Sequence, residues 1–588
     1  MSDQNLINSN VFLKQLNKTE SLKGFRVIED LEIKELKSNS RVITISDTVF
    51  LDRVQITLQS PQVQFNFHNV KFNKGLKIEN ADIVSIDLFE CNIDYFSISQ
   101  SNIKISLTLA NNTEISNFTC KESEIANFNL IRSVISSIDF IVDTNFSTFS
   151  ITNSDIVGNI KFDNVNIELF KMSKSKVGGY IWIWHSKFTN SFLLFKSTIK
   201  SYLSIEICEI NEFISQECDI YNLDIVLSLV QDEKILRYAC NDVSILDTKF
   251  EKDCKIFEVC NPEKEISINS LRMHFGSNSN GGVYFNSLNI NSFEIFGKNF
   301  NSDITIDDSN ITKFNIEDFS NYKTISIFNL KPFGINSNFS ANKSNLGLTQ
   351  LYFCRLIDYE KVVIKQITLT NMITSGVKWF KYKSFPIPTI RREFSIKFYI
   401  KCFFDLNYKL SNYSNTIDSF QDLRELFRQL KVVMEKQGNK VQALIFKQYE
   451  MQAYKKELKL TKSFYNLERI ILWANQSNDH GQNWFKPILL GVLFTILFLL
   501  LIVISSNSEL SFKPSFNLHD IRYTWNYLFQ HLKFFPNFLN PAFRMEDIFK
   551  GQNFTYTFGS YFWSLIQRIS ISFFIYQTVT AFRKYSGK

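Results

Sequence analysis

Bulky apolar residues recur at every fifth position in the first part of the chain. The clearest series is Ile83, Leu88, Ile93, Ile98 and Ile103. The spacing resumes at Ile125, Leu130, Ile135 and Phe140, at Phe146, Ile151 and Ile156, and at Met172, Val177 and Trp182. The strongest positions recur every ten or eleven residues, at Ile156, Ile167, Val177, Phe188, Ile199, Ile210 and Ile220. Neither a helical period of 3.6 nor a strand period of 2 dominates.

A five-residue period with coils of about twenty residues predicts a right-handed parallel β-helix, because the repeats of α-solenoids are longer and helical. Four short faces would make each coil, with the central apolar residue of each face pointing inward. The pattern extends through Phe250, Ile290 and Ile311, so we assign residues 1–376 to this solenoid domain. Its interior is filled by side chains, which places function on the outer faces or at the ends.

These residues resemble the pentapeptide-repeat family, in which Leu or Phe points inward at every fifth position. Here Ile replaces Leu at most positions, and the small residue two before the centre is often absent, although Cys91-Asn92-Ile93 and Cys218-Asp219-Ile220 keep it. A solenoid with a filled interior favours a role as a rigid spacer or docking surface. Some members of the family mimic DNA through an acidic surface, and the charge of this domain permits that role as well.

Charge divides the chain into two parts. Residues 1–376 carry 36 Lys and Arg against 44 Asp and Glu, whereas residues 377–588 carry 29 against 14. The total of +7 therefore averages an acidic solenoid and a basic C-terminal part. The N-terminus has no apolar run typical of a signal peptide, so we expect the solenoid in the cytoplasm.

The predicted linker, residues 377–415, mixes basic and aromatic residues. Its cations, our candidates for binding an anionic ligand or lipid, are Lys378, Lys381, Lys383, Arg391, Arg392, Lys397 and Lys401. The aromatic residues among them include Trp379, Phe380, Tyr382 and Phe385. Such a mixture binds phosphates and stacks bases, and beside a membrane it attracts anionic headgroups. The lipid interpretation is favoured, and a soluble anionic ligand remains the sharper hypothesis.

Residues 416–470 predict an antiparallel α-helical hairpin. Ser419 is a candidate N-cap, and Phe420, Leu423, Phe427, Leu430 and Met434 fall on one helical face. After the break at Gln437-Gly438-Asn439, the residues Val441, Leu444, Ile445 and Tyr449 begin the second amphipathic helix. Lysines occupy the outer face of the hairpin.

Residues 471–588 predict a transmembrane domain with spans 487–505 and 561–582. The first span carries no charge, and about twenty apolar residues cross a bilayer. The second is long enough but polar. Lys486 precedes the first span, and Arg583, Lys584 and Lys588 follow the second, so the positive-inside rule predicts that both termini are cytoplasmic. The predicted location is the bacterial inner membrane.

Ser564, Arg568 and Ser572 lie four residues apart on the second span and are our pore-lining candidates. A charge at the bilayer centre costs roughly 2.5–3.5 kcal/mol on insertion scales, which calls for a functional or structural reason. Arg568 alternatively snorkels to the interface or faces a neighbouring helix. Two helices cannot enclose a pore, so a channel requires a homo-oligomer of four or more chains.

The C-terminal part resembles bacterial membrane proteins that join a β-helical domain to two spans. The motifs that carry this resemblance are Asn540-Pro541-Ala542, Arg568-Ile569, Tyr576-Gln577, residues 581–585 (AFRKY), Glu435-Lys-Gln-Gly438-Asn439 and Glu450-Met451. The resemblance is to channel effectors of Hailong-type anti-phage defence. It implies an ion channel gated by a nucleotide or short DNA oligomer that a partner nucleotidyltransferase makes. The alternative is a membrane-tethered scaffold that docks a protein partner.

The sequence carries none of the phosphate-loop, dinucleotide, zinc-protease or nucleophile-elbow motifs. Its six histidines are isolated, and its nine cysteines never form a C-x-x-C pair. We therefore expect a protein that is not an enzyme and that needs no cofactor, metal or disulfide framework.

Overall fold

A computed structural model describes residues 5–36, 42–60, 62–227, 240–258, 268–276, 279–369, 371–386, 406–462, 466–479, 483–506, 529, 532–550 and 555–582. The predicted linker residues Arg391, Arg392, Lys397 and Lys401, and most of the loop between the two predicted spans, lie outside these ranges. The chain forms two compact units, Met1–Ile387 and Pro388–Lys588.

The first unit is a parallel β-solenoid of about fifteen turns between residues 5 and 375, which confirms the predicted fold class. Its described strands form two parallel sheets. The 22-stranded sheet contains Asn5–Ile7, Phe25–Val27, Leu31–Ile33, Val49–Phe50, Val54–Ile56, Lys71–Phe72, Leu76–Glu79, Asn92–Ser99, Glu114–Lys121, Val134–Val142, Asp155–Ile156, Ile160–Asp163, Lys176–Val177, Ile181–Trp184, Thr198–Glu206, Asp219–Leu227, Lys249–Glu258, Gly282–Asn286, Ile304–Asp307, Thr324–Phe328, Leu348–Tyr352 and Ile373–Ser375. The 16-stranded sheet contains Ser21–Lys23, Val42–Ser46, Gln64–His68, Asp82–Phe89, Asn102–Ala110, Glu124–Ile131, Asn145–Thr152, Asn166–Ser173, Lys187–Phe195, Glu209–Gln216, Cys240–Leu246, Ile268–Phe275, Asn289–Asn299, Asn310–Asn321, Asn338–Asn342 and Lys361–Lys365.

Inward residues stack in register from one turn to the next. One column of paired residues in the 16-stranded sheet runs Ile83, Ile103, Ile125, Phe146, Ile167, Phe188 and Ile210. All are buried. Two successive five-residue faces often merge into one strand of eight or nine residues, so the strands form two sheets where the sequence predicts four short faces.

A second column in the same sheet consists largely of phenylalanine. The rings of Phe128 and Phe149 are stacked with centroids 4.4 Å apart, and those of Phe170 and Phe192 are 4.3 Å apart. Between these pairs, Phe149 and Phe170 are stacked at 5.6 Å. Stacked aromatic pairs add about 0.5–1.5 kcal/mol beyond the burial of their area. This column therefore forms the centre of the solenoid core.

Each half-turn ends in a corner with a left-handed residue. Between Glu90 and Glu217 such residues recur every ten or eleven positions, and a buried Ser, Thr or Cys usually follows. At Ser154 the hydroxyl donates to the carbonyl of Thr152 (2.9 Å) and accepts from the backbone N–H of Ser133 (3.2 Å). The sequence pattern suggested that the small residue of the repeat is often absent. In the structure a small residue is present at most corners, and it recurs once per ten or eleven residues and not once per five.

Both ends of the solenoid are covered. Helix α1 (Ser9–Leu16) places Phe12 over the first turns, 5.4 Å from the ring of Phe50. At the other end Phe380 packs 5.3 Å from Phe339, and Phe385 lies 6.0 Å from Phe380. Solenoids need such caps because a terminal turn has no neighbour to bury its core.

The predicted inward position of Trp182 is wrong. Ile181 and Ile183 are buried, and Trp182 between them is only partly buried. The inward spacing shortens from five to four because the chain bends at Gly178, where a Cβ atom would lie 2.2 Å from the carbonyl oxygen of Val157.

The second unit is helical. Its described helices are α2 (Leu406–Lys436), α3 (Lys440–Thr461), α4 (Leu467–Asn475), α5 (Phe485–Ser506), α6 (Phe535–Phe538), α7 (Met545–Ile548) and α8 (Phe558–Phe582). Helices α2 and α3 form the predicted hairpin, with its break at 437–439 and Gly438 in the left-handed region at φ 75°. The predicted apolar face of α2 is buried as expected.

Two details of the hairpin prediction are wrong. Helix α2 begins before Ser419, whose hydroxyl donates to the carbonyl of Asn415 (2.9 Å) inside the helix and caps no terminus. In α3 the buried face is Ala443, Phe446, Glu450, Ala453, Glu457 and Leu460, whereas Val441 is exposed. Two carboxylates on the buried face conceal its period from a search for apolar residues.

Candidate functional site

Helices α5 and α8 pack against each other along their length. Among the described helices, α5 alone is long and apolar enough to cross a membrane by length and composition, with a mean hydropathy of 3.1 over its best 18 residues. Helix α8 has 25 residues but a polar buried face, made of Ser560, Ser564, Gln567, Ile571, Phe574, Gln577 and Ala581. The candidate site is this polar face.

The middle of α8 binds the segment that contains α6 and α7. Gln567 is 1% exposed, and its amide nitrogen donates to the carbonyl of Phe538 (2.6 Å). The guanidinium of Arg568 donates to the carbonyl of Phe543 and lies 4.8 Å from the centre of that residue's ring. The amide oxygen of Gln567 and the Nε atom of Arg568 are buried and have no hydrogen-bond partner in the described residues. Polar groups without partners are costly in a buried setting.

The surrounding core explains why these groups are buried. Leu499, Ile502 and Val503 of α5 pack against Phe538, Phe543, Met545 and Phe549. The ring of Phe538 lies 4.4 Å from that of Phe543. This apolar cluster brings the two carbonyl groups to the side of α8, where Gln567 and Arg568 reach them.

A second polar contact lies near the C-terminal end of α8. The side-chain amide of Gln577 donates to Asn475 Oδ1 (3.2 Å), and Asn478 Nδ2 donates to the carbonyl oxygen of Gln577 (3.3 Å). Both asparagines lie just before α5 in the chain. Polar side chains thus fix α8 near its middle and near its end.

The predicted pore-lining residues are not alike in this chain. Ser564 is buried, Arg568 is partly buried against Phe543, and Ser572 is exposed. The exposed surface of α5 and α8 is otherwise largely apolar, with Leu493 and Leu497 on α5 and Leu565 and Ile569 on α8. The spacing of four residues grouped Ser564, Arg568 and Ser572, but the buried polar face contains Gln567 and Gln577. Gln567 and Gln577 lie at helical spacing from Ser560 and Ser564, and this spacing is the sequence signal that could have identified them.

The described members of the predicted anion-binding stretch lie at the C-terminal end of the solenoid. Lys378, Lys381 and Lys383 are exposed, and Lys378 pairs through its backbone with Arg355. Phe380 and Phe385, which the sequence suggested as possible stacking rings, are buried in the cap. The three lysines therefore lie beside the cap, where the rings of Phe380 and Phe385 are not presented to solvent.

The outer face of the 22-stranded sheet carries an aromatic patch that sequence reasoning missed. The rings of Tyr180 and Tyr202 stack at 4.8 Å, and Trp182 and Trp184 stack at 5.7 Å. Lys161 Nζ lies 5.8 Å from the centre of the Tyr180 ring. Trp and Tyr are the residues most enriched at the centres of binding interfaces. Alternation along Ile181-Trp182-Ile183-Trp184 was the available signal.

No known protein family, curated protein or solved structure matches this chain.

Proposed function

We propose that the protein is an oligomeric ion channel of the bacterial inner membrane in which α5 and α8 both cross the bilayer. The observation that carries the proposal is the polar side of α8, where buried Gln567 and partly buried Arg568 lie beside the largely apolar α5. A simple anchor does not require a buried glutamine and a partly buried arginine. A pore that opens and closes needs polar groups whose partners can change.

The gating signal in this proposal reaches the channel through the cytoplasmic solenoid and the basic segment after it. The ligand is a nucleotide or short DNA oligomer from a partner nucleotidyltransferase, and the role is anti-phage defence. Both rest on the resemblance of the C-terminal motifs. The net negative charge of residues 1–376 favours a ligand site toward the basic C-terminal part. The protein acts without catalysing a reaction.

Ion flux from liposomes that contain the full chain tests the channel. We expect the wild type to release a trapped potassium gradient, and we expect Arg568→Ala and Gln567→Leu to change the flux at least about tenfold, as loss of a buried polar contact does to an equilibrium. Leu565→Ala, on the exposed face of the same helix, is the matched control. A wild type that never conducts, with all three variants alike, contradicts the proposal.

The second candidate is a membrane-tethered scaffold. Two observations favour it: the aromatic patch on the solenoid supplies a docking surface, and Gln567 and Arg568 already bind carbonyl groups of their own chain. Replacing α5 and α8 by an unrelated two-span hairpin separates the candidates. A scaffold keeps its cellular activity after the exchange, whereas a channel loses it.

A further inference from the structure

Helices α3 and α5 each bring a lysine to the short turn that precedes α5. Lys455 near the end of α3 donates to the side-chain oxygen of Gln476, in the short 3₁₀ turn that precedes α5. Lys486 in the first turn of α5 donates to the backbone carbonyl of the same Gln476 (3.2 Å) and pairs with Asp479 (2.7 Å). Gln476 therefore accepts a hydrogen bond from each of the two lysines, one at its side-chain oxygen and one at its backbone carbonyl.

Further lysines lie close to Lys455, while Asp479 pairs with Lys486. The pKa of Lys455 is lowered, first by burial and then by the charges of Lys459 and Lys486. The pKa of Lys456 is lowered by burial and by Lys459. Lysines that lie close enough to lower one another's pKa attract an anion.

Aromatic residues lie at the same end of the α5 and α8 pair as these lysines. Trp484 directly precedes α5 and stacks on Phe582, the last residue of α8, with ring centroids 5.2 Å apart. Phe485 beside it is exposed. Tryptophan is enriched where a membrane meets water, and the apolar run of α5 starts immediately after Lys486. The lysines therefore lie where headgroups would surround a helix that crosses the bilayer.

We infer that Lys455, Lys459 and Lys486 bind the phosphate group of an anionic membrane lipid at the entry of α5. The inference rests on the proposed crossing of the membrane by α5. Lys459 is exposed on the last turns of α3, one helical turn beyond Lys455, so all three ammonium groups can approach one headgroup. Gln476 holds Lys455 and Lys486, and the apolar start of α5 accepts the acyl chains.

The test measures lipid preference of the full chain in nanodiscs that contain phosphatidylglycerol and phosphatidylcholine, by native mass spectrometry of retained lipid. We expect the wild type to retain phosphatidylglycerol preferentially. The triple variant Lys455→Gln/Lys459→Gln/Lys486→Gln should lose about tenfold or more of that preference, because each lysine near an anionic surface contributes a severalfold factor. The matched control is Lys436→Gln/Lys440→Gln/Lys447→Gln, which removes three exposed charges elsewhere on the hairpin.

Further arms separate the possible failures. Replacement of the three lysines by arginine should keep the preference if charge is the cause, which guards against a variant that misfolds. A chain that cannot be reconstituted, and that alkaline carbonate strips from native membranes, overturns the membrane crossing itself. A chain that inserts without lipid preference overturns only the lipid site. Displacement of bound lipid by millimolar inorganic phosphate would show that the site binds free phosphate, and this too overturns the lipid assignment.

Discussion

The solenoid and the helical unit bury polar side chains in opposite ways. In the solenoid, buried serines repeat along the corners, and several of their hydroxyls bond the backbone of both their own and the preceding turn, as those of Ser154 and Ser175 do. In the helical unit the partners of the buried polar groups differ from one group to the next. Glu457 forms an ion pair with Arg424, and Gln577 donates a hydrogen bond to Asn475. The amide oxygen of Gln567 has no hydrogen-bond partner in the described residues.

This difference indicates which unit can change state. Periodic bonds support one register, because a shift would break the same bond in every turn. Individual bonds do not repeat along the chain, so the exchange of one of them leaves the other bonds in place. We therefore expect the solenoid to be rigid, and we propose that α8 and its neighbours are the part that changes in the proposed channel. The following predictions test the two halves of the comparison.

The largest effect is expected in the phenylalanine column. Phe170 lies between Phe149 and Phe192, fully buried, so Phe170→Ala should lower the free energy of unfolding of the solenoid by about 3–5 kcal/mol. Urea unfolding of the full chain in detergent, followed by far-ultraviolet circular dichroism, measures the loss. Ile105→Ala, at a side chain that is 57% exposed, should stay within about 0.5 kcal/mol of wild type. Equal results for the two variants would contradict the rigid core.

A smaller effect is expected at the buried ion pairs of the hairpin. Arg424 Nη1 lies 2.8 Å from Glu457 Oε2, and Gln421 donates to the other oxygen (3.2 Å). Because Arg424 is partly exposed to water, Glu457→Gln should lower the free energy of unfolding by only about 1–2 kcal/mol. The control Glu425→Gln removes an exposed pair with Arg428 and should cost about 0.5 kcal/mol or less.

The double variant Arg424→Met/Glu457→Leu sharpens this second case. It extends the apolar face of α3, on which Glu450 remains, and replacing a buried ion pair by apolar residues is often neutral or stabilising. We expect it to recover the stability that Glu457→Gln loses. If Arg424→Met/Glu457→Leu is less stable than Glu457→Gln, apolar residues cannot replace the ion pair of Arg424 and Glu457. The contrast between the two units would then not hold for the hairpin.

Sequence periodicity predicted the solenoid well because one physical requirement repeats in every turn. All seven anchors from Ile156 to Ile220 are buried, and the five-residue series from Ile83 to Ile103 is buried throughout. The prediction failed where one contact decides the local geometry, as at Gly178. It failed on α3 for a related reason: Glu450 and Glu457 occupy core positions, and only their partners Lys431 and Arg424 on α2 make that possible.

The candidate site was less predictable than the fold. Ser564 and Arg568 were selected from their spacing, and helical spacing could also have placed Gln567 on the buried face, but its hydrogen bond could not be predicted because it joins Gln567 to the carbonyl of Phe538, 29 residues earlier. No period links those two positions. The lysines at the entry of α5 were missed for the same reason, since Lys455 and Lys486 meet through Gln476.

The serine corners provide a third prediction, of about 1 kcal/mol. Ser154→Ala removes one donor and one acceptor from a buried corner, and the unpaired backbone N–H of Ser133 should lower the free energy of unfolding by that amount. Ser154→Cys should cost less, because Cys208 and Cys218 already bond the carbonyl two residues back at equivalent corners. Thermal unfolding measures both variants. A cysteine variant as unstable as the alanine variant would show that the corner hydroxyl has no interchangeable partner.

The smallest effect is a pH dependence at the corner residue Asp47. The hydrogen bond from Asn69 Nδ2 (2.6 Å) chiefly lowers the pKa of Asp47, and Lys23 at 3.3 Å lowers it further. A lowered folded-state pKa stabilises the fold above the unfolded-state pKa, and this stabilisation is lost as the pH falls through the folded-state pKa. Asp47→Asn, which suits the left-handed backbone at φ 48°, should therefore lower stability by a few tenths of a kcal/mol at pH 7 and by nothing near pH 2. Because the hydrogen bond is the larger cause, Asn69→Ala should remove more of the pH dependence than Lys23→Gln does. The reverse order would mean that a surface ion pair, and not the periodic bonding of the corner, sets the charge state of Asp47.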